Sequence, residues 1–253
     1  MVMTAAPNRV VWVDLSTTDL ESAIHFYERI FGWHYEEHDS GMQTNVVARV
    51  AGGEVGGMMA QPPEQAASGV PSAWTVFVGC GHLENALTWA RELGGSVLQA
   101  PVSIPGGARV AVIADPSGAA LALAEGALAV GTAVRDEPGA LAWVECQSRD
   151  LARSRGFYEE LFGWQSEEGT DGYVVFTADG ERAGGLMAMP RTVPAEVHSH
   201  WLVYFAAEVA ATADAVTELG GTVVVPAHEI DEGRFAVLED PTGAVFAIYE
   251  RSP

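Results

Sequence analysis

The sequence predicts an α+β fold made of two tandem domains, each built from two β-α-β-β-β modules. Three observations carry this. A long-range repeat runs through the whole chain at an offset that starts at 131 residues and shrinks to 125. A fainter repeat at an offset of 63 lies inside the first half. Strand-type and helix-type apolar periodicities follow one another in the same order in each segment.

The elements follow in order. Val10 to Ser16 is rich in strand formers, and Thr18 or Asp19 can cap the helix that follows. Ala23, Phe26, Tyr27, Ile30 and Phe31 form the apolar stripe of that helix, which Gly32 ends. Strands are predicted over Thr44–Val50 and Glu54–Ala60, and Gln61 to Pro71 reads as a Pro/Ala/Ser loop. A strand over Ala73–Val78 precedes a helix over Leu83–Leu93 that Gly94 and Gly95 stop. Strands near Val97, Arg109–Ala114 and Ala119–Ala124 complete the domain, with a turn at Asp115-Pro116-Ser117-Gly118.

The second domain repeats this. Trp12-Val13-Asp14 returns as Trp143-Val144-Glu145, Asp19-Leu20 as Asp150-Leu151, and Phe26-Tyr27-Glu28 as Phe157-Tyr158-Glu159. Phe31-Gly32-Trp33 returns as Phe162-Gly163-Trp164, Trp74 as Trp201, and the Glu-Leu-Gly-Gly of 92–95 at 218–221. Arg109 matches Arg234, and the Asp115 turn matches Asp240-Pro241-Thr242-Gly243. The boundaries read as a first domain over 8–126, a linker over 127–138 and a second domain over 139–251. Asp19-Leu20-Glu21 resembles His82-Leu83-Glu84, so each domain divides again into two half-modules.

Composition excludes several classes. The 253 residues carry 34 acidic and 13 basic side chains, for a net charge of −21, and every basic residue is Arg. Lysine chemistry is excluded, and so is the positive footprint that binding to nucleic acid needs. Two cysteines, Cys80 and Cys146, sit in no zinc spacing. No signal peptide or membrane span is read, so a cytoplasmic protein with no membrane partner is expected. The negative charge favours cationic ligands.

The paired aromatic helix stripe and closing Asp-Pro-Ser/Thr-Gly hairpin, in this order and twice over, resemble the vicinal oxygen chelate superfamily. It comprises glyoxalase I, extradiol dioxygenases, fosfomycin-resistance enzymes and bleomycin-resistance and related antibiotic-binding proteins. The resemblance covers nearly the whole chain and is nearest to the two-domain actinobacterial type called glyoxalase-like or hydroxylase-like. It implies that each domain forms a curved mixed sheet, a cup. It also implies metal ligands on the first, fourth, fifth and eighth strands. Carried over residue by residue, those positions hold Trp12, the Gly56-Gly57-Met58-Met59 run, Trp74 and Ala122. The second domain has Trp143, the Gly184-to-Met187 run, Trp201 and Ala247. None is a usual donor, so no metal and no cofactor are expected.

What lines the cup instead follows from strand alternation. Trp12, Asp14 and Ser16 share a face, as do Trp143, Glu145 and Gln147. Trp74 and Trp201 are placed on the cup side, with Ala122 and, in the second domain, Tyr249 as floor. Indoles suit stacking on planar ligands and attract cations, or they simply fill the core; both readings stay open. Asp14 and Glu145 are either general bases raised by an apolar pocket or acids satisfied by a neighbour. Arg109 and Arg234 either pair with those acids or line the cup mouth. The leading expectation is metal-independent binding of a planar, largely apolar metabolite, such as an aromatic polyketide or antibiotic, for sequestration or presentation to a tailoring enzyme. The alternative is a metal-free enzyme in which Asp14 or Glu145 moves a proton during isomerisation, cyclisation, hydration or assisted hydroxylation. The ligand is expected to be cationic or aromatic, and both a monomer and a homodimer fit.

Overall fold

A computed structural model describes residues 8–39, 44–104, 106–130 and 134–252. The first repeat runs β1 (Val10–Thr17), α1 (Leu20–Phe31), β2 (His34–Asp39), β3 (Thr44–Val50), β4 (Gly53–Ala60) and α2 (Pro63–Ala67). It continues with β5 (Ala73–Gly79), α3 (Leu83–Glu92), β6 (Ser96–Ile104), β7 (Ala108–Ala114) and β8 (Ala120–Glu125). The second runs β9 (Leu141–Ser148), α4 (Leu151–Phe162), β10 (Gln165–Glu168), β11 (Val174–Ala178) and β12 (Glu181–Ala188). It ends with β13 (His200–Ala206), α5 (Val209–Glu218), β14 (Thr222–Ile230), β15 (Gly233–Glu239) and β16 (Val245–Arg251). The strands form two mixed eight-stranded sheets, ordered β2-β3-β4-β1-β5-β8-β7-β6 and β10-β11-β12-β9-β13-β16-β15-β14.

Three segments differ from the sequence reading. The polar stretch holding His34 and His38, expected as a loop from its sequence, is strand β2, paired antiparallel with β3, because an edge strand tolerates polar residues that a central strand does not. The Pro/Ala/Ser segment contains the short helix α2, started by proline at its first turn. His228, expected on a loop because no local pattern marks it, lies on β14, paired opposite Phe235.

The helix ends follow local chemistry. Asp19 accepts the Ser22 N–H at 3.0 Å and caps α1, and Gly32 closes it with φ of 69°. Asp150 caps α4 through the Arg153 N–H in the same way.

Compact packing does not follow the repeats. One unit comprises Met1–Trp12, Thr75–Gly131 and Val144–Trp201; the other comprises Val13–Trp74, Thr132–Trp143 and Leu202–Pro253. Each unit thus joins the leading half-module of one repeat to the trailing half-module of the other. Helix α1 packs on α5 in the second unit, and α3 packs on α4 in the first.

The repeated motifs explain this pairing. In the second unit the Tyr27 hydroxyl donates to Asp240 Oδ2 at 3.1 Å. Asp240 Oδ1 accepts the Thr242 and Ala244 N–H groups and the Thr242 hydroxyl. In the first unit Tyr158 donates to Asp115 Oδ2 at 3.0 Å, and Ser154 adds a second hydrogen bond at 2.7 Å. The helix tyrosine of one repeat therefore satisfies the buried turn aspartate of the other. Losing one partner of such a buried bond costs about 1–3 kcal/mol, so the pairing is specific as well as stabilising.

Each bond is set in an aromatic cluster. Around Tyr27 lie Phe26, Phe31, Trp33, Trp74, Phe205 and Phe246, and around Tyr158 lie Phe157, Phe162, Trp164, Phe176 and Trp201. Phe205 matches Val78 and Phe176 matches Ala48, so the two cores reach similar fillings from different strands. The Glu-Leu-Gly-Gly repeat is equally structural. A Cβ on Gly95 would lie 2.7 Å from Ala114 O and 2.8 Å from the Phe157 ring, and one on Gly221 would lie 2.6 Å from Glu239 O.

Candidate functional site

The helices cover one face of each half-sheet, and the opposite face carries the candidate site. On β1 the side chains alternate. Val13, Leu15 and Thr17 are fully buried, whereas Asp14 and Ser16 are only partly buried. Register then fixes the neighbours of the two polar residues. Asp14 lies beside Gly57 of β4, which lies beside Val47 of β3. Ser16 lies beside Met59, which lies beside Asn45. This face of the second unit therefore presents Asp14, Ser16 and Asn45 among Gly57, Val47 and Met59.

Two of those polar groups each carry one unmet oxygen. Asp14 Oδ1 and Asn45 Oδ1 are closed from solvent and have no hydrogen-bond partner. Burial pushes the Asp14 carboxyl up to about 7, and the Leu15 backbone N–H offsets only part of the effect. Such a group exchanges a proton near neutrality, which an ordinary aspartate does not.

The matching face of the first unit is different. Glu145, beside Gly185, is buried and accepts a hydrogen bond from Gln147 Nε2 at 3.1 Å. Gln147 lies beside Met187, and Tyr173 replaces Asn45 one residue before the Val174–Leu186 pair. The two predicted acids are therefore not equivalent.

The trailing half-sheets also differ. In the second unit Leu202, Tyr204, Val237 and Ala247 form an apolar cluster against which Trp143, Phe235 and Tyr249 pack. Tyr249 donates its hydroxyl to Glu232 O at 2.7 Å. In the first unit the register sets Phe77 beside Ala122, Val112 beside Ala122 and Val110 beside Ala124. Valine and alanine there stand where the second repeat has Phe235 and Tyr249.

The structure corrects the placement of Trp74 and Trp201. Both lie on the helix-covered side: Trp74 Nε1 donates to the Tyr27 hydroxyl and Trp201 Nε1 to the Tyr158 hydroxyl, each at 3.0 Å. Both faces of β5 and β13 are apolar, so alternation alone does not say which side a helix covers. Thr75 and Phe77, and Leu202 and Tyr204, occupy the opposite side. Trp12 is buried and Trp143 partly buried on the helix-free faces. Trp33 and Trp164 are buried and donate to the Gly139 and Asn8 carbonyls.

Arg109 and Arg234 do not meet Asp14 or Glu145. Arg109 pairs with Glu84 and Glu125, and Arg234 with Glu208 and Glu250. Glu125 and Glu250 also accept the Leu83 and Val209 N–H groups at the starts of α3 and α5. The Val209 N–H, then Arg234, hold the Glu250 carboxyl below its ordinary range. These are matched helix-start ion pairs. Their signal lay in the sequence: each Arg recurs 16 residues before its Glu. The unmet Asn45 was missed, because a lone Asn on a predicted strand carries no signal until register places it.

The cysteines are not nucleophiles in waiting. Burial pushes the Cys80 thiol up to about 11, and Cys146, which contacts the Tyr158 hydroxyl at 3.7 Å, is also raised by burial.

A divalent metal, which the family resemblance implies, needs convergent nitrogen and oxygen donors. The positions that the resemblance marks hold Trp12, the Gly56-to-Met59 run, Trp74 and Ala122, and Trp143, the Gly184-to-Met187 run, Trp201 and Ala247. Among the described residues no group of three or more His, Cys, Asp or Glu side chains is placed to hold one. The residues present do not fit such an ion. No described helix is long and apolar enough to cross a membrane.

Comparison with known proteins agrees with the fold. The chain is 34% identical over 250 residues to CFP32 of Mycobacterium bovis, a protein provisionally named a glyoxylase, covering 96% of this chain and 94% of that one. It is 31% identical over 260 residues to the anthracycline biosynthesis protein DauV of Streptomyces sp. strain C5, covering 97% and 94%. Among solved structures, the Mn(II)-bound glyoxalase of Novosphingobium aromaticivorans superposes with a TM-score of 0.65 at 12% identity, covering 96% of this chain and 83% of that one. Residues 9–123 and 140–248 each match one family, and the chain belongs to the glyoxalase/bleomycin resistance protein/dioxygenase superfamily, the vicinal oxygen chelate proteins.

Proposed function

We propose that this protein binds a planar, largely apolar small metabolite of the aromatic polyketide class without a metal, holding it or presenting it to a tailoring enzyme. The observation that carries this reading is Asp14. Its carboxyl oxygen is closed from water and unmet on a face otherwise lined by Gly57, Val47 and Met59. An unmet buried acceptor is destabilising by about 1–3 kcal/mol, and a ligand that supplies the missing donor removes that cost. The relatives named for anthracycline biosynthesis, at 31% and 30% identity, support a polycyclic aromatic ligand. The poor fit of the donor positions to a metal supports the metal-free form of the reading.

The raised Asp14 carboxyl favours a second reading. With a pKa of about 7 it can accept and return a proton during a metal-free isomerisation, cyclisation or hydration. One experiment separates the two. Chelator-treated protein is titrated with hydroxylated quinones while tryptophan emission is followed, and each mixture is then weighed by mass spectrometry. Saturable quenching with unchanged ligand mass supports binding. A time-dependent new mass that Asp14→Asn abolishes supports the enzyme. No saturable quenching by any planar compound contradicts both.

A further inference from the structure

Planar apolar binding does not by itself fix which edge of the ligand is recognised. We infer that the site takes a fused-ring aromatic whose edge carries at least two hydrogen-bond donors, phenolic hydroxyls above all, received by Asp14 and Asn45. This rests on the proposed binding function and narrows it to a class of ligand.

Three observations carry it. First, among the described residues the unmet atoms on this face are both oxygens, Asp14 Oδ1 and Asn45 Oδ1; a ligand with only carbonyl or ether oxygens leaves Asn45 Oδ1 unmet and meets Asp14 only while its carboxyl is protonated, whereas a donor meets both. Second, register sets them apart in a defined way. Asp14 is two strands from β3, and Asn45 is two residues along from Val47, the residue in line with Asp14. Strand spacing and rise put their Cα atoms about 12 Å apart, a span suited to two or three fused rings rather than one. The residues between them, Gly57, Val47 and Met59, are apolar, and Ser16 lies beside Met59. Third, the arrangement is confined to the first repeat. In the second, Gln147 already satisfies Glu145, and Tyr173 stands in place of Asn45. The same fold with met groups shows that unmet acceptors are not a requirement of the architecture.

The test uses the 253-residue chain and three probes: anthraquinone, 2,6-dihydroxyanthraquinone and 2,6-dimethoxyanthraquinone. These share a ring system and differ in donors. Affinities are read from tryptophan quenching for wild type, Asp14→Leu, Asn45→Leu and Glu145→Gln, with circular dichroism confirming the fold. The dihydroxy probe is expected to bind wild type about tenfold tighter than the other two. That preference is expected to collapse in Asp14→Leu and Asn45→Leu and to persist in Glu145→Gln. If a leucine variant fails to fold, Asp14→Ala and Asn45→Ala replace it. Equal affinity for all three probes overturns the donor assignment and leaves planar binding standing. A preference retained in both Asp14 and Asn45 variants overturns the assignment to these residues. Absence of saturable binding by any probe overturns the binding function and this inference with it.

Discussion

Replacing Asp14 by Asn should stabilise the protein, and by more at high pH than at low. The carboxyl ionises near its ordinary 3.8 when unfolded and near 7 when folded. A raised carboxyl is a stability cost that is absent below the unfolded value. The cost grows as pH climbs from about 4 to about 7 and is then constant, because the folded state holds a proton that the unfolded state has lost. At 1.36 kcal/mol per pH unit, the cost is about 1.7 kcal/mol at pH 5 and about 4 kcal/mol at pH 8. An Asn side chain does not ionise, so the variant lacks this term. Other carboxyls contribute alike to both proteins and cancel. Urea unfolding followed by tryptophan emission at pH 5 and pH 8 should therefore show the variant's advantage growing by about 2.5 kcal/mol between them. Parallel pH profiles, or a variant less stable than wild type at pH 8, would mean that Asp14 is ionised and satisfied in the folded state.

Other outcomes follow from the same structure. Tyr27→Phe removes the donor to Asp240 and leaves the Trp74 N–H without its acceptor, so chemical denaturation should show a loss of about 1–3 kcal/mol. Tyr158→Phe should cost less, because Ser154 still donates to Asp115 Oδ2; equal losses would contradict this. Gly95→Ala forces a Cβ against Ala114 O and the Phe157 ring, and a melting curve should show destabilisation of about 1–3 kcal/mol, whereas wild-type stability would mean the contact relaxes freely. Trp74→Phe should lower stability while leaving quinone affinity unchanged, and a selective loss of affinity would restore Trp74 to the ligand site. Arg109→Gln should also leave affinity unchanged in the same titration, since its guanidinium is held by Glu84 and Glu125.

Much of the architecture was legible because duplication wrote each signal twice. The Asp19 and Asp150 caps, the Gly32 and Gly163 stops and the two Asp-Pro turns all recur, and each marks a local backbone need that sequence states directly. The alternation of Trp12, Asp14 and Ser16 was legible for the same reason. What sequence did not show was tertiary. Tyr27 reaches Asp240 across 213 positions, and no local pattern says that a helix of one repeat satisfies a turn of the other. The face of Trp74 was misread because Val76 and Val78 on one side and Phe77 on the other are all apolar, so the period-two signal is missing. Strand β2 was overlooked because its polar run, His34-Tyr35-Glu36-Glu37, has no alternation to detect. Asn45 needed the β3–β4 register before it meant anything.

If the proposed function is right, Asp14 and not a metal anchors the ligand. The most direct test is isothermal titration of 2,6-dihydroxyanthraquinone into wild type and Asp14→Leu, each first stripped with a chelator and then resupplied with manganese or ferrous ion. Wild-type affinity should be the same with and without metal and fall at least about tenfold in the variant. Binding that appears only when metal is restored, or that ignores the loss of Asp14, would contradict it.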